Sequence, residues 1–134
     1  MFSTLDIGAS GLMAQRTRLD TIAGNIANIN TTRNERGELS PYQRRLAIFA
    51  PGQPGDTSKP GVHVQQVMRD PSPFVRRYEP GSPDAGADGY VLTPNIDLSI
   101  EYVNALEASR AYEANITMMD VTKSMLNSTL RLIA

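Results

Sequence analysis

The distribution of proline divides this chain of 134 residues into three zones. All nine prolines lie between Pro41 and Pro94, so long stretches at both ends contain none. A proline inside a helix removes a backbone hydrogen bond and costs about 3 kcal/mol. The two ends are therefore free to form long helices, and the middle is not. We predict a helical core domain built from residues 1–30 and 95–134, and a small, loop-rich β domain over residues 31–94.

Apolar residues of the N-terminal zone recur every seven residues. This spacing places them on one stripe of a helix, which is typical of a helix that packs on a partner. We predict a helix from about Ser3 to Asn28, with Ser3 or Thr4 as its N-cap. The stripe consists of Leu5, Leu12, Leu19 and Ile26, with Ile22 three residues after Leu19.

The C-terminal zone carries a longer stripe of the same kind. We predict a helix from about Asp97 to Leu132, with Pro94 in the preceding turn and Asp97 at the cap. A seven-residue repeat sustained over this length favours coiled-coil packing over an ordinary surface helix. The series is Leu98, Ala105, Tyr112, Met119, Leu126 and Ile133, and a second row four residues later includes Tyr102, Ile116 and Leu130.

The middle zone contains four short β-prone stretches, at residues 42–49, 62–68, 74–78 and 90–93. Loops rich in proline and glycine separate them, so we predict a short antiparallel β and loop region. A few short strands need a packed face, so this region is not expected to fold by itself. The fold class is therefore mainly α with a small β element, in which the terminal helices form a coiled-coil-like hairpin.

Charge is spread unevenly along the chain. Residues 33–77 carry eight basic and four acidic side chains, whereas residues 78–120 carry one basic and eight acidic side chains. One interpretation is that the positive middle attracts the negative flank of another copy or of a related subunit. The other is that these are solvated faces that differ by chance, since a surface ion pair contributes only about 0–1 kcal/mol.

The composition argues against most kinds of catalytic or ligand-binding site. The chain has no cysteine and one histidine, His63, which excludes disulfides, thiolate zinc sites and sites with several histidines. No phosphate-binding loop or metal-binding motif is present, and the net charge of −1 does not favour nucleic acid. We expect no enzyme activity, no cofactor, no metal, no nucleic acid and no small-molecule substrate.

The sequence shows neither a signal peptide nor a membrane span. Its first residues lack the basic and apolar regions of a secretory signal, and its longest apolar run, Leu46 to Ala50, is too short to cross a bilayer. We therefore expect no direct membrane insertion and no cleaved signal.

These features together predict an interaction protein. Gly8, Gly11 and Gly24 thin one side of the first helix, so another backbone can approach it closely. The pairing of the two terminal helices is expected to leave apolar surface exposed, and such surface marks a partner interface. Contacts of this kind that do not close into a ring produce a helical filament.

Several segments resemble the bacterial flagellar rod and hook proteins. The N-terminal signature is SGLMA at residues 10–14 followed by LDTIAGNIANINT at residues 19–31, and the C-terminal one is EASRAYEAN at residues 107–115 followed by TKSML at residues 122–126. The middle narrows the resemblance to the proximal-rod members of that family. The similar middle segments are NTTR (30–33), PYQRR (41–45), YEPGSPDA (78–85) and DGYVLTPN (88–95).

The resemblance implies a structural role in the flagellar basal body. Members of the family assemble with copies of themselves and with other rod proteins into a hollow shaft that spans the periplasm, transmits torque and lets export substrates pass. Their terminal helices line the shaft and a small β domain lies outside. They leave the cytoplasm unfolded through the flagellar type III export apparatus, which agrees with the lack of a cleaved signal.

The resemblance also assigns roles to residues of the two stripes. Asn25 and Asn28 are expected to cap or bridge helices. The expected assembly contacts are Leu12, Leu19, Ile22, Ile26, Tyr112, Ile116, Met119 and Leu126, and the stripes themselves add Leu5 and Leu130. The alternatives are another flagellar axial protein of the rod and hook group, or a non-flagellar coiled-coil adaptor of fixed stoichiometry.

Overall fold

Two long terminal helices, with four short strands between them in the sequence, make up the computed structural model, which describes residues 2–134. The elements are α1 (Phe2–Ala27), β1 (Arg45–Pro51), β2 (Val62–Arg69), β3 (Val75–Tyr78), β4 (Tyr90–Thr93) and α2 (Leu98–Ile133). The predicted fold class is confirmed, and both helices end within one residue of the predicted limits. Ser3 and Thr4 do not precede α1 as caps, because the helix already begins at Phe2.

The two helices lie side by side and antiparallel. Gly8 of α1 meets Met118 and Met119 of α2, Gly11 meets Asn115, and Asn25 near the end of α1 meets Glu101 near the start of α2. The glycines are needed here, because a Cβ atom at Gly8 would lie 2.7 Å from side-chain atoms of both methionines.

The C-terminal end of α2 extends past the described start of α1. If Gly11 faces Asn115, the residue that faces Phe2 lies near position 124. Roughly nine residues of α2, or about 14 Å at 1.5 Å per residue, then have no α1 beside them. Two of the side chains on this extension, Leu130 and Leu132, are 62% and 87% exposed.

Both helix ends near the strands are capped as the sequence predicts. The Asp97 carboxylate accepts hydrogen bonds from the backbone N–H groups of Ser99 and Ile100, which satisfies two of the free donors at the start of α2. At the end of α1, the Asn28 side-chain amide donates to the carbonyl of Gly24 at 2.8 Å.

The middle region forms two separate antiparallel hairpins rather than one β element. β1 pairs with β2 from Arg45 opposite Arg69 to Pro51 opposite Val62, with an irregularity in register after Ile48. β3 pairs with β4 in regular register. Within residues 2–134, the β3–β4 hairpin packs on neither helix nor on the β1–β2 hairpin, whereas β1 and β2 both pack on α1.

Two polar side chains of α1 fasten the two ends of the β1–β2 hairpin. Ser10 Oγ accepts a hydrogen bond from the Val62 backbone N–H, and the Asn25 amide group bonds both the N–H and the carbonyl of Arg45 at 2.9 Å. From Ser10 to Asn25 the helix rises about 22 Å, and from Arg45 to Pro51 the strand spans about 20 Å. The matching lengths let the hairpin lie along α1 as a third layer.

β1 begins at Arg45, three residues later than predicted. The preceding residues are used by other contacts: the Tyr42 N–H donates to the Thr31 carbonyl, and the Gln43 side chain donates to the Asp70 carbonyl. Strand propensity alone does not reveal such competition for backbone and side-chain partners.

The core is thin and made largely of small residues. The buried apolar side chains are Ala14, Ile22, Val91 and Ala108, and the largest fully buried side chains are polar, Asn25 and Glu101. The low aromatic content of 6% is consistent with this core. Tight packing of the two helices therefore depends on close backbone approach and on a buried polar junction.

Candidate subunit interface

A buried polar junction ties α1, β1 and α2 together. Glu101 and Asn25 are each 1% exposed. Arg44 donates from Nε to one Glu101 carboxylate oxygen, and the Asn25 amide donates to the other at 3.3 Å. The Tyr42 hydroxyl donates to Asn25 Oδ1. A buried carboxylate is tolerated only when it is paired in this way, because an unpaired charge is very costly to remove from water.

The surrounding charges act on this junction. Burial lowers the pKa of Arg44, but its hydrogen bonds and Coulomb attraction to Glu101 and Asp70 outweigh that effect, and the pKa is raised. The pKa of Asp70 is lowered, mainly by hydrogen bonds from Ser72 and to a smaller degree by Arg44. The guanidinium therefore stays charged and bridges two carboxylates.

Much of the charge asymmetry in the sequence is paired within the chain. Arg33 contacts Asp84, Arg76 contacts Asp88, and Arg44 contacts Glu101, so these three arginines of the positive middle region each meet an acid from the negative flank. The asymmetry therefore positions segments of one chain, in addition to any attraction between copies.

α2 carries a set of apolar side chains that are largely exposed in the single chain. Tyr102 and Val103 are 59% and 64% exposed. Further exposed members of this surface are Leu106, Val121, Met125, Leu130, Leu132 and Ile133. Exposed apolar surface of this extent is typical of a site that binds another protein.

The ten residues that the sequence predicts as contacts differ in accessibility. Ile22 is buried and lies beside β1, so its contacts are made within the chain. Ile116 and Leu130 are exposed. The remaining seven are partly buried: Leu5, Leu12, Leu19, Ile26, Tyr112, Met119 and Leu126. Their role in contacts between subunits stays a prediction.

The seven-residue stripe of α2 cannot be covered by one straight partner helix. An α-helix has 3.6 residues per turn, so a strict seven-residue series drifts by about 20° in every heptad. From Leu98 to Ile133 the drift amounts to about 100°. The stripe therefore turns away from α1 at Leu98 and Tyr102, and it reaches Leu130 and Ile133 where α1 no longer accompanies α2.

The seven-residue repeat does not identify all of the exposed apolar residues of α2. Val103, Leu106, Val121 and Met125 lie outside both rows of the series, so periodicity did not single them out. The available signal was the clustering of apolar residues on a second flank of the same helix, since Val121 and Met125 are four residues apart.

The structure also places the residues considered for other kinds of site. His63 lies in β2, and its Nδ1 atom is 3.0 Å from the Gly52 carbonyl. Among residues 2–134, no group of three acidic, histidine or cysteine side chains is arranged to hold a metal ion. Neither helix, as described, is long and apolar enough to cross a membrane.

Two family models match the helical ends of the chain. The model for the flagella basal body rod protein matches residues 5–33, and the model for the C-terminal region of the flagellar basal body rod FlgEFG proteins matches residues 87–132. A pair of terminal helices that presents an uncovered apolar surface, with these two matches, defines the class of flagellar basal-body rod proteins.

Full-length relatives identify the family within that class. The flagellar basal-body rod protein FlgC of Borreliella burgdorferi is 38% identical, that of Bacillus subtilis 37% and that of Salmonella typhimurium 40%. Each alignment covers at least 98% of this chain and 97% of the relative. The chain belongs to the FlgC family and is a structural subunit of the flagellar basal-body rod. This membership decides against a non-flagellar adaptor.

Proposed function

We propose that the subunit polymerises through its terminal helices into the hollow axial shaft of the rod, in contact with copies of itself and with other rod proteins. The observation that carries the proposal is the apolar surface of α2 that no part of the described chain covers, from Tyr102 and Val103 to Leu132. In an assembled shaft, helices of neighbouring subunits bury this surface. Burial of apolar area contributes about 25 cal/mol per Å².

The proposal uses the two domains predicted from the sequence. Residues 1–30 and 95–134 form the shaft, and residues 31–94 lie outside it. The β1–β2 hairpin is fastened to α1 through Ser10 and Asn25, so it keeps one side of α1 from contacting neighbours. Contacts between subunits then fall mainly on α2. Torque that passes along the shaft is transmitted through these contacts.

Export of the subunit through the flagellar type III apparatus completes the proposal. A chain that passes an export channel unfolded must lose its structure at low cost. The small core, with Ala14 and Ala108 among its few buried apolar residues, supports low stability for the free subunit. The proposal assigns the chain no catalytic step, cofactor, nucleic acid or small-molecule substrate.

The proposal is tested by placing a charge on the uncovered end of α2. Leu130→Asp leaves the free subunit folded because the side chain is 62% exposed. In the shaft the same carboxylate would be buried in an apolar contact, so we expect loss of rod assembly and of motility. Circular dichroism of the purified protein and swimming assays with matched protein levels measure the two effects.

Asn127→Asp is the matched control for this experiment. It adds the same charge to the same extension, at an exposed and already polar position. We expect cells with this variant to assemble rods and swim. Motile cells carrying Leu130→Asp at normal protein levels would show that α2 does not polymerise through this surface.

A further inference from the structure

The register of the two helices leaves apolar surface uncovered that a different register would bury. In the structure Asn25 meets Glu101 and Gly11 meets Asn115, and about nine residues of α2 extend past the described start of α1. If α2 moved by seven residues along α1, Leu126 and Leu130 would lie beside the first turns of α1. Apolar burial alone therefore favours the shifted register.

The apolar stripes themselves permit this shift. Both stripes repeat every seven residues, so a displacement of seven brings equivalent positions together again. The glycines keep the same spacing relative to α2, because Gly8 would face Met125 and Leu126 in place of Met118 and Met119, and Gly11 would face Thr122 in place of Asn115. Something other than apolar packing must hold the observed register.

The buried junction is the feature that a shift destroys. In the shifted register Asn25 would face Ala108, and Glu101 would move by about 10 Å, to a position about 7 Å past the end of α1. Arg44 cannot follow it, because the neighbouring Arg45 backbone is bonded to Asn25 on α1. Arg44 and Asn25 would then lose their buried carboxylate partner, and half-paired buried polar groups are strongly unfavourable.

Other contacts that could hold α2 in place are weaker than the buried junction. The ion pair between Arg18 and Glu107 is 3.3 Å long, and the glutamate side chain is 66% exposed, so solvent screens it. The β3–β4 hairpin precedes α2 but packs on neither described helix, so it does not hold α2 in place.

We propose that the Arg44–Glu101 pair, held by Asn25, sets the axial register of α2 on α1 and thereby keeps the end of α2 free. In coiled coils a single buried polar contact can fix register at a cost in stability, and this junction acts in the same way. The inference concerns one folded chain. It deepens the proposed function, because the end that is kept free is the end proposed to bind a neighbour.

The experiment replaces the pair with apolar residues and measures the register. The double variant Arg44→Met with Glu101→Leu removes both charges and leaves the Asn25 bonds to Arg45 intact. The chain has no cysteine, so spin labels at Ala23→Cys and Ser128→Cys report one distance by pulsed electron paramagnetic resonance. In the observed register the two positions are about 38 Å apart along the axis, and a shift of seven residues shortens this to about 27 Å.

We expect one long distance for the labelled original chain and a shorter one, by about 10 Å, for the double variant with its helix content retained. Thr122→Val is the control, because Thr122 is a buried polar residue of the same helix whose hydroxyl bonds only its own helix, at Met118. It should keep the long distance.

Two results would overturn the inference. If the double variant keeps the long distance, apolar packing or the connecting segments set the register without the pair. If the double variant loses its helices, the pair supplies stability rather than register. Neither result bears on polymerisation, which the Leu130→Asp experiment tests separately.

Discussion

At the scale of single residues, the Glu101 carboxylate shows how a buried charge is made tolerable. Its two oxygens accept hydrogen bonds from Arg44 and Asn25, and the side chain is almost completely buried. Removing one partner of such a pair leaves an uncompensated charge, whereas replacing both partners by apolar groups of similar volume is often neutral. A single substitution at this pair is therefore expected to destabilise the fold far more than a substitution of both partners.

We predict that Arg44→Met alone lowers the free energy of unfolding by about 3 kcal/mol, because Glu101 stays buried without a cation. Adding Glu101→Leu should restore most of this loss. Urea unfolding followed by circular dichroism measures both variants. The prediction is wrong if the double variant loses as much stability as Arg44→Met alone, or more. Such a result would mean that the two side chains act independently of each other.

At the scale of elements, α2 depends on its cap for a defined start. Asp97→Ala removes the carboxylate that accepts from Ser99 and Ile100, and we expect a loss of about 1 kcal/mol in the free energy of unfolding. Asp120→Ala, which removes an exposed carboxylate from the middle of the same helix, should change stability by less than about 0.5 kcal/mol. Thermal unfolding distinguishes the two, and equal effects would show that the cap contributes nothing.

The elements themselves were largely predictable, and their arrangement was not. The two helices follow from the absence of proline and from the seven-residue series that begin at Leu5 and Leu98. Both signals are local, because each lies within a single segment of the chain. The position of the β1–β2 hairpin along α1 depends on Ser10 and Asn25, which bond strands 20 or more residues away in sequence. Such distant contacts leave no periodic trace in the sequence.

The candidate interface was predicted in part for the same reason. The seven-residue repeat identified Ile116 and Leu130, which are exposed, but it also selected Ile22, which β1 covers. In the sequence, Glu101 is only one of eight acidic residues between positions 78 and 120, and nothing local marks it as a charge that will be buried. Asn25 bridges the helices and Asn28 caps α1, as the resemblance implied.

At the scale of the whole molecule, the Asp84 carboxylate links the β3–β4 hairpin to the segment that follows α1. Asp84 accepts from the Thr32 hydroxyl at 2.6 Å and pairs with Arg33, both in the segment that follows α1. The Thr32 hydrogen bond, with a smaller contribution from Arg33, holds the pKa of Asp84 below its usual value. The hairpin therefore depends on an ionised Asp84 for its position.

This dependence predicts that acid loosens the hairpin. A carboxyl whose pKa is lower in the folded state than in the unfolded state stabilises the fold above its unfolded value of about 3.9 and loses that effect as the pH falls through the folded value. We expect the methyl resonances of Val91 to shift below about pH 4. Asp84→Asn should show the shifted resonances already at pH 7, and unchanged spectra in both cases would contradict the role of Asp84.

The central claim is that neighbouring subunits cover the apolar surface of α2 in the rod. A density map of the assembled basal body with side-chain detail measures this directly. The account predicts that Val103, Leu130 and Ile133, all exposed in the single chain, lie buried against helices of adjacent subunits. A map in which these side chains face water, with subunits joined through residues 31–94 instead, would contradict it.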